Sequence, residues 1–198
     1  SWAITTQKDL EINSIAVHPS EPNRVYIGTN NYGVMVSDDG GRNFSQTNEN
    51  FSSRFTYTIT ADLEQANRLY ATTHNTATGG GFLFISNDGG DTWQRPKNLD
   101  VIRVSPYGLT QDRVNRNILY LASNVGVFKS IDRGNTWTQL VAPKTKAPVR
   151  KAAPKGKTVA KPVPQPQTVA ALTGRIRVIE HTEDGKNGVL AGTEKGLY

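Results

Sequence analysis

Three copies of one octet decide the fold of this chain: Ser37-Asp-Asp-Gly-Gly-Arg-Asn-Phe44, Ser86-Asn-Asp-Gly-Gly-Asp-Thr-Trp93 and Ser130-Ile-Asp-Arg-Gly-Asn-Thr-Trp137. They share the pattern S-x-D-x-G-x-(T/N)-(W/F), and their first residues are 49 and 44 residues apart. A repeat of this length is typical of a four-stranded blade of a β-propeller.

Short β-rich segments recur in phase with the octets. Each octet is preceded by an alternating run, a run around a tyrosine, and an apolar strand entered through a glycine. The alternating runs are 12–17, 55–60 and 102–105, the tyrosine runs are 25–29, 69–72 and 118–122, and the apolar strands are 33–36, 81–85 and 126–128. Short strands without helical periodicity predict an all-β fold. The expected architecture is a β-propeller of four-stranded antiparallel blades.

About four blades are expected. Residues 1–142 are predicted to hold blades 1–3 after a leading strand, Ser1–Ile4, from a preceding blade. Residues 173–198 are predicted to be an incomplete fourth blade with strands at 176–179, 189–193 and 196–198. The blades form either a partial arc of a larger propeller, which we favour, or a small closed ring.

The octet has the chemistry of a tight turn between two strands. The glycine at its fifth position suits a left-handed φ, the serine and aspartate can accept local N–H groups, and the aromatic residue can pack between blades. The predicted structural residues are Ser37, Asp39, Gly41, Phe44, Ser86, Asp88, Gly90, Trp93, Ser130, Asp132, Gly134 and Trp137. Each octet has too few carboxylates to favour calcium binding.

The octet resembles the Asp-box of BNR repeats. These repeats occur in sialidases, xyloglucanase-type glycoside hydrolases, sortilin-type receptors and photosystem II assembly factors. Residues 25–29 and 126–137 resemble xyloglucanase- and sortilin-like propellers most closely. The resemblance implies a propeller and a secreted or periplasmic location, but it does not select one function, because one scaffold hosts several.

Residues 143–172 form a Lys/Pro/Ala-rich insertion without aromatic residues. Seven basic residues and no acidic ones lie there, so the remainder of the chain has a net charge of −1 although the whole chain has +6. This composition predicts a disordered segment. Its charge allows electrostatic contact with an anionic surface, whereas nucleic acid is not an expected partner because no aromatic side chains are present to stack on bases.

Few residues suggest catalysis. A glycosidase needs two carboxylates about 5–10 Å apart. Glu49 and Asp100 are the candidates, and neither lies in a distinguishing motif. The chain has no cysteine, and its three histidines lack metal-ligand spacing. We therefore expect no metal, no cofactor and no transmembrane segment.

The face opposite the octets is expected to bind ligands, because the longer loops gather there. Its candidate residues are Tyr32, Arg54, His74, Asn75 and Arg103, with Tyr107 as a further loop aromatic.

The leading hypothesis is a non-catalytic binding or scaffold module for a protein or glycan partner. The alternatives are a fragment of a xyloglucanase- or sialidase-type hydrolase, and an assembly factor for a membrane-protein complex. All three tryptophans occupy octet-type positions, which leaves few for a sugar cleft and disfavours the hydrolase.

Overall fold

The computed structural model describes residues 4–52, 55–75, 80–99, 104–140, 174–182, 188–194 and 196–197. These residues form β-strands, turns and loops, with no helix among them. In chain order the strands are β1 (Ile12–Val17), β2 (Val25–Thr29), β3 (Val34–Ser37), β4 (Ser45–Gln46), β5 (Thr56–Ala61), β6 (Leu69–Asn75), β7 (Gly80–Ser86), β8 (Pro106–Gln111), β9 (Leu119–Ser123), β10 (Gly126–Ser130), β11 (Thr138–Gln139), β12 (Ile176–His181), β13 (Val189–Thr193) and β14 (Gly196–Leu197).

The strands form four antiparallel sheets in which neighbours in sequence are neighbours in space. The sheets are β1–β4 (blade 1), β5–β7 (blade 2), β8–β11 (blade 3) and β12–β14 (blade 4). In blade 2 the place of a fourth strand is taken by Gln94, which exchanges two backbone hydrogen bonds of 2.8 and 2.9 Å with Ile85. The repeat in the sequence is therefore a repeat of a sheet, and the fold is a β-propeller with about four blades.

The first strand of each blade lies innermost. β5 lies beside β1 and β8, and β12 lies beside β8, so these four strands follow one another across the arc. Each blade then continues outward through hairpins to the strand that follows its octet.

Apolar side chains fill the spaces between blades. Tyr26, Val34 and Val36 of blade 1 pack against Leu69, Phe84 and Trp93, among others, of blade 2. The next junction repeats the arrangement with Tyr70, Leu83, Ile85, Leu119, Leu121 and Trp137. The third junction is built from smaller side chains: Ala122, Val127, Ile176, Ile179 and Ala191.

The blades form an open arc. Ile15 of blade 1 corresponds in the repeat to Ile59 and Ile179, which are buried at junctions, yet Ile15 is 66% exposed. At the other end of the arc Val178 is 57% exposed. The two outer faces of the arc therefore remain uncovered by the described residues, and the sheets do not close into a ring.

One predicted strand and one predicted loop were wrong. The first strand of blade 3 begins at Pro106, not at Ile102, because Val104 packs into the junction with blade 2 and proline opens the strand without needing a ladder N–H. His74 lies in β6 opposite Gly81, not in a loop. A Cβ on Gly81 would lie 2.3 Å from the Thr73 carbonyl oxygen, so glycine is what lets the two strands approach.

Three boundary predictions fall outside the described residues. They concern the leading strand at residues 1–4, of which only Ile4 is described, and the two ends of the insertion at 143–172. The division into 1–142, 143–172 and 173–198 therefore stays a prediction, as does disorder of the insertion.

Candidate functional site

The three octets form turns of the same shape. The serine Oγ of Ser37, Ser86 and Ser130 donates to the aspartate two residues later at 2.7–2.8 Å. The same oxygen accepts the N–H of the glycine four residues later, also at 2.7–2.8 Å. That glycine has a φ of +85°, +97° and +85° in the three copies, which favours glycine over other residues. The shared serine and aspartate side chains of each octet are thus used within the turn.

The octet aspartates are held in the ionised form by the turn. In Asp39, hydrogen bonds from the N–H and side chain of Asn43 and from Ser37 hold the pKa well below its usual range. Burial raises the pKa of Asp132, but the hydroxyl and N–H of Thr136 outweigh that effect and lower it. These carboxylates serve the turn, and within the described ranges no cluster of three or more His, Cys, Asp or Glu side chains could hold a metal ion.

The octet face also joins neighbouring blades. Arg24 donates to the carbonyl of Gly89 in the next blade's octet at 2.9 Å, and Arg68 donates to the carbonyl of Arg133 at 2.6 Å. The sequence signal for these arginines is an Asn-Arg pair directly before the second strand of blades 1 and 2, a signal not among the predicted site residues. In blade 3 the position of this arginine is taken by Ile118.

A second position with a structural role follows the first strand of blades 1, 2 and 3. Oδ1 of Asp62 accepts the N–H groups of Glu64 and Gln65, and Oδ1 of Asp112 accepts those of the residues two and three positions later. In blade 1 the equivalent residue is His18, whose Nδ1 accepts the N–H of Glu21 at 3.0 Å. Because Nδ1 must be an unprotonated acceptor for this bond, the ring proton belongs on Nε2. These residues close turns and point to a structural role for the octet face.

The opposite face has a different set of residues, placed by a bulge that recurs in every blade. The pairing of each innermost strand with its neighbour shifts register at the second residue of the strand. The bulged residues are Asn13, Tyr57, Tyr107 and Arg177, one from each blade. A bulge leaves one residue out of the ladder and redirects its side chain, and bulges are frequent beside active and binding sites. We call these four residues the bulge row.

Adjacent members of the bulge row lie close together. The Asn13 amide donates to the carbonyl of Thr56, next to Tyr57, at 2.9 Å. The rings of Tyr57 and Tyr107 are 6.3 Å apart and nearly perpendicular. The carbonyl of Arg177 lies 3.8 Å from where a Cβ on Gly108 would be, which places it beside Tyr107. The four residues thus follow one another along the inner edge of the arc.

Two further aromatic side chains extend the tyrosine pair. The His74 ring lies 6.2 Å from Tyr107 and 6.2 Å from Phe55. Tyr57 is 42% exposed, and the other three rings are half-buried. The structure therefore brings two of the predicted ligand-face residues, His74 and Tyr107, into one cluster. Tyr57 was missed because a tyrosine in a strand has no local sign of exposure until the bulge is known.

The other predicted site residues do not join this cluster. Tyr32 is 42% exposed on the outer side of blade 1, between cavities of about 390 and 480 Å³. Its counterpart in blade 3 is Val125, which packs into a junction, so the exposure of Tyr32 reflects the uncovered outer face of blade 1. Arg54, Arg103 and Asp100 lie outside the described residues, and of Asn75 only the backbone in β6 is described.

Glu49 is exposed, and its backbone carbonyl accepts the N–H of Trp93 at 3.1 Å. The segment that carries it thus packs against the second octet. Because Asp100 lies outside the described residues, the separation of the two candidate carboxylates is not defined. Throughout the described ranges no helix is long and apolar enough to cross a membrane.

Comparisons with known proteins agree on the fold. No protein-family model matches the chain, and the comparison with curated proteins gives no match either. Among solved structures, an ancestral GH74 enzyme is 26% identical with a TM-score of 0.59, and the match covers 67% of this chain and 19% of that enzyme. The extracellular domain of a two-component system from B. thetaiotaomicron is 14% identical with a TM-score of 0.63, covering 95% of this chain and 20% of that one.

A third similar structure is YCF48 from Cyanidioschyzon merolae. It is 14% identical with a TM-score of 0.59, and the match covers 98% of this chain and 54% of YCF48. YCF48 has also been solved bound to a D1 peptide. The chain thus spans about a fifth of the GH74 and two-component proteins and about half of YCF48. On fold and repeat organisation, the chain is a β-propeller similar to those of GH74 enzymes and YCF48.

Proposed function

We propose that the chain is part of a non-catalytic binding module that presents its bulge-row face to a protein or glycan partner. The observation that carries the proposal is the bulge row itself. Four blades each place one redirected side chain on the same edge, and two of these are neighbouring tyrosines. Tyrosine is enriched where proteins bind partners, because it offers a large contact area together with a hydroxyl group.

The two faces of the arc differ in how their side chains are used, and this difference supports the proposal. On the octet face the shared serine and aspartate side chains are used in turns and Arg24 and Arg68 are used between blades, as in Ser86 with Asp88 and Arg68 with Arg133. On the bulge-row face Tyr57 and Arg177 remain substantially exposed. Polar and aromatic groups that remain exposed on a rigid scaffold are available for recognition.

The similar structures are compatible with a binding role. YCF48 binds a D1 peptide, which favours a protein partner for this fold. The GH74 neighbours keep the hydrolase alternative open, but the match covers only a fifth of those enzymes. One neighbour is an extracellular domain, and on that basis we propose a secreted or periplasmic location. Fractionation of the source cells with an antibody to the chain would test that location.

Binding should be measured on peptide and glycan arrays with the intact chain and three variants. Tyr57→Ala and Tyr107→Ala should each weaken binding of any captured ligand at least tenfold, as removal of a central aromatic contact does. Tyr32→Ala is the matched control, because Tyr32 has the same exposed fraction as Tyr57 but lies on the outer side of blade 1. It should bind like the original chain.

Two results would contradict the proposal. Loss of binding in Tyr32→Ala alone would move the site to the outer side of blade 1. Hydrolysis of xyloglucan or a sialoside by the chain, abolished in Glu49→Gln, would establish the hydrolase alternative instead.

A further inference from the structure

The distance between the two tyrosine rings of the bulge row is close to the side-chain spacing of an extended peptide. Side chains on one face of an extended peptide recur at every second residue, about 6.6–6.8 Å apart. The Tyr57 and Tyr107 ring centroids are 6.3 Å apart, and each ring comes from the same position of adjacent blades. The step from one blade to the next at this point of the row is therefore similar to the step between alternate side chains of one extended chain.

The angle between the two tyrosine rings also favours a peptide over a sugar. The two ring planes meet at 70°, and so they form a corner instead of a flat platform. A flat platform would suit a sugar ring lying across both aromatic faces. A corner suits the compact apolar side chain of a peptide, which can contact the face of one ring and the edge of the other.

A positive charge lies at the blade 4 end of the row. The guanidinium groups of Arg175 and Arg177 each lie 3.5 Å from the same oxygen of Glu194, and all three side chains are about half exposed or more. Two cations thus share one anion, which leaves a net positive charge. Exposed ion pairs of this kind contribute little free energy, so Arg177 can exchange Glu194 for another carboxylate at small cost.

We propose that the bulge row binds an extended acidic peptide. An apolar side chain of the peptide sits in the corner between Tyr57 and Tyr107, and a carboxylate further along it pairs with Arg177. At the other end of the row Asn13 lies next to the peptide backbone. This inference rests on the proposed binding function and names the ligand class for the same face.

Selection from a random peptide library displayed on phage tests the inference, with the Tyr57→Ala/Tyr107→Ala double variant as the counter-selection target. Enriched peptides should carry an apolar residue followed by aspartate or glutamate at an even spacing. In fluorescence anisotropy, an enriched peptide should bind Arg177→Gln about tenfold more weakly. The same peptide with its carboxylate replaced by the amide should bind the original chain about tenfold more weakly and should no longer distinguish Arg177→Gln.

Arg113→Gln on the octet face serves as a charge-matched control and should leave peptide binding unchanged, and thermal melting should confirm that each variant is folded. Enrichment of basic or uncharged peptides would overturn the acidic assignment. Binding of an array glycan that depends on Tyr57, with no enriched peptide, would overturn this inference but leave the proposed binding function standing. If neither peptide nor glycan binding depends on Tyr57 or Tyr107, both fail.

Discussion

At the scale of single residues, Arg133 is the clearest departure from the repeat. It occupies the fourth octet position with a φ of +56°, where Gly40 and Gly89 have +74° and +75°. A left-handed conformation is unfavourable for arginine, but its side chain gains contacts that glycine lacks. Its guanidinium group pairs with the fully buried Asp62 at 2.8 Å, and also with Glu64. The ion pair between blades offsets the cost of the backbone conformation.

We expect Arg133→Gly to destabilise the chain. Loss of the ion pair should cost about 2 kcal/mol, because Asp62 keeps its other hydrogen bonds, whereas relief of the left-handed backbone should return about 1 kcal/mol. The net loss, about 1 kcal/mol, can be measured by urea unfolding. Gly40→Ala isolates the backbone effect, since a Cβ there meets nothing closer than 3.5 Å, and it should cost about 1 kcal/mol. A stabilised Arg133→Gly would show that the ion pair contributes less than the backbone costs.

Asp62 should make stability depend on pH. Burial raises the pKa of this carboxyl, but hydrogen bonds from the N–H groups of Gln65 and Glu64, from Tyr70 and from Gln111 outweigh it and lower the pKa. A carboxyl whose pKa is lowered on folding stabilises the protein above its unfolded pKa of about 3.9 and loses that contribution as pH falls. Urea unfolding between pH 7 and pH 3 should therefore show a shallower acid decline for Asp62→Asn than for the original chain.

The Asp62→Asn variant should also be less stable at pH 7, because one oxygen acceptor becomes a donor facing Tyr70 and Gln111. Asp38→Asn is the control, since the Asp38 side chain is largely exposed and its pair with Arg24 should contribute little. Parallel acid limbs for Asp62→Asn and the original chain would show that Asp62 does not contribute to the pH dependence.

At the scale of elements, the octet turn forms its own hairpin and also packs against the preceding blade. A Cβ on Gly134 would lie 3.2 Å from the ring of Tyr70 in the preceding blade, and a Cβ on Gly90 would lie 3.4 Å from the ring of Tyr26. At Gly41, by contrast, the nearest atom belongs to Phe44 of the same octet at 3.8 Å. All three positions need glycine because φ is positive. Gly90 and Gly134 also need it because a tyrosine of the preceding blade leaves little room for a Cβ.

The pair Gly134→Ala and Gly41→Ala separates these two requirements. Both glycines have a φ of +85°, so both variants should lose about 1 kcal/mol from backbone strain. Gly134→Ala should lose about 1–2 kcal/mol more, because the methyl group crowds Tyr70 and Trp137. Thermal and urea unfolding of the two variants would give the difference. Equal losses would mean that the junction adjusts freely to the added methyl group.

The strands show how far elements can be predicted from the sequence. Tyrosine runs and octets were located closely because each has a strong local signal, such as Val25–Thr29, which is a strand with the bounds expected. Of the strand expected at 102–105, the two described residues, Val104 and Ser105, lie outside a strand. Alternation alone does not distinguish a strand from a loop residue, such as Val104, that packs into a core.

At the scale of the whole molecule, the three junctions between blades differ in strength. The junction between blades 2 and 3 has large side chains such as Tyr70 and Trp137, and Arg68 binds across it. The junction between blades 3 and 4 is built largely from alanine, valine and isoleucine, and Ile118 stands where the bridging arginine would be. Among the described residues the fully buried side chains of this junction are smaller, so we expect blade 4 to separate at lower free energy.

Hydrogen exchange should show this difference. The amides of β12 and β13 should exchange at least about tenfold faster than those of β9, because opening of blade 4 does not require unfolding of blades 2 and 3. Mass spectrometry after pepsin digestion resolves these segments. The internal reference is β6, which lies between two complete junctions and should exchange as slowly as β9. Equal protection of β12 and β9 would show that the arc unfolds as one unit.

The sequence by itself determined the repeat, the all-β class and the octet turns, because these depend on contacts within about ten residues of the chain. The tertiary structure alone decided the bulge row, the pairing of Arg133 with Asp62 and the open ends of the arc. Each of these depends on residues that are far apart in sequence and meet only when blades pack. A tyrosine at position 57 reads as one more strand residue until the register shift turns it toward its neighbour in the next blade.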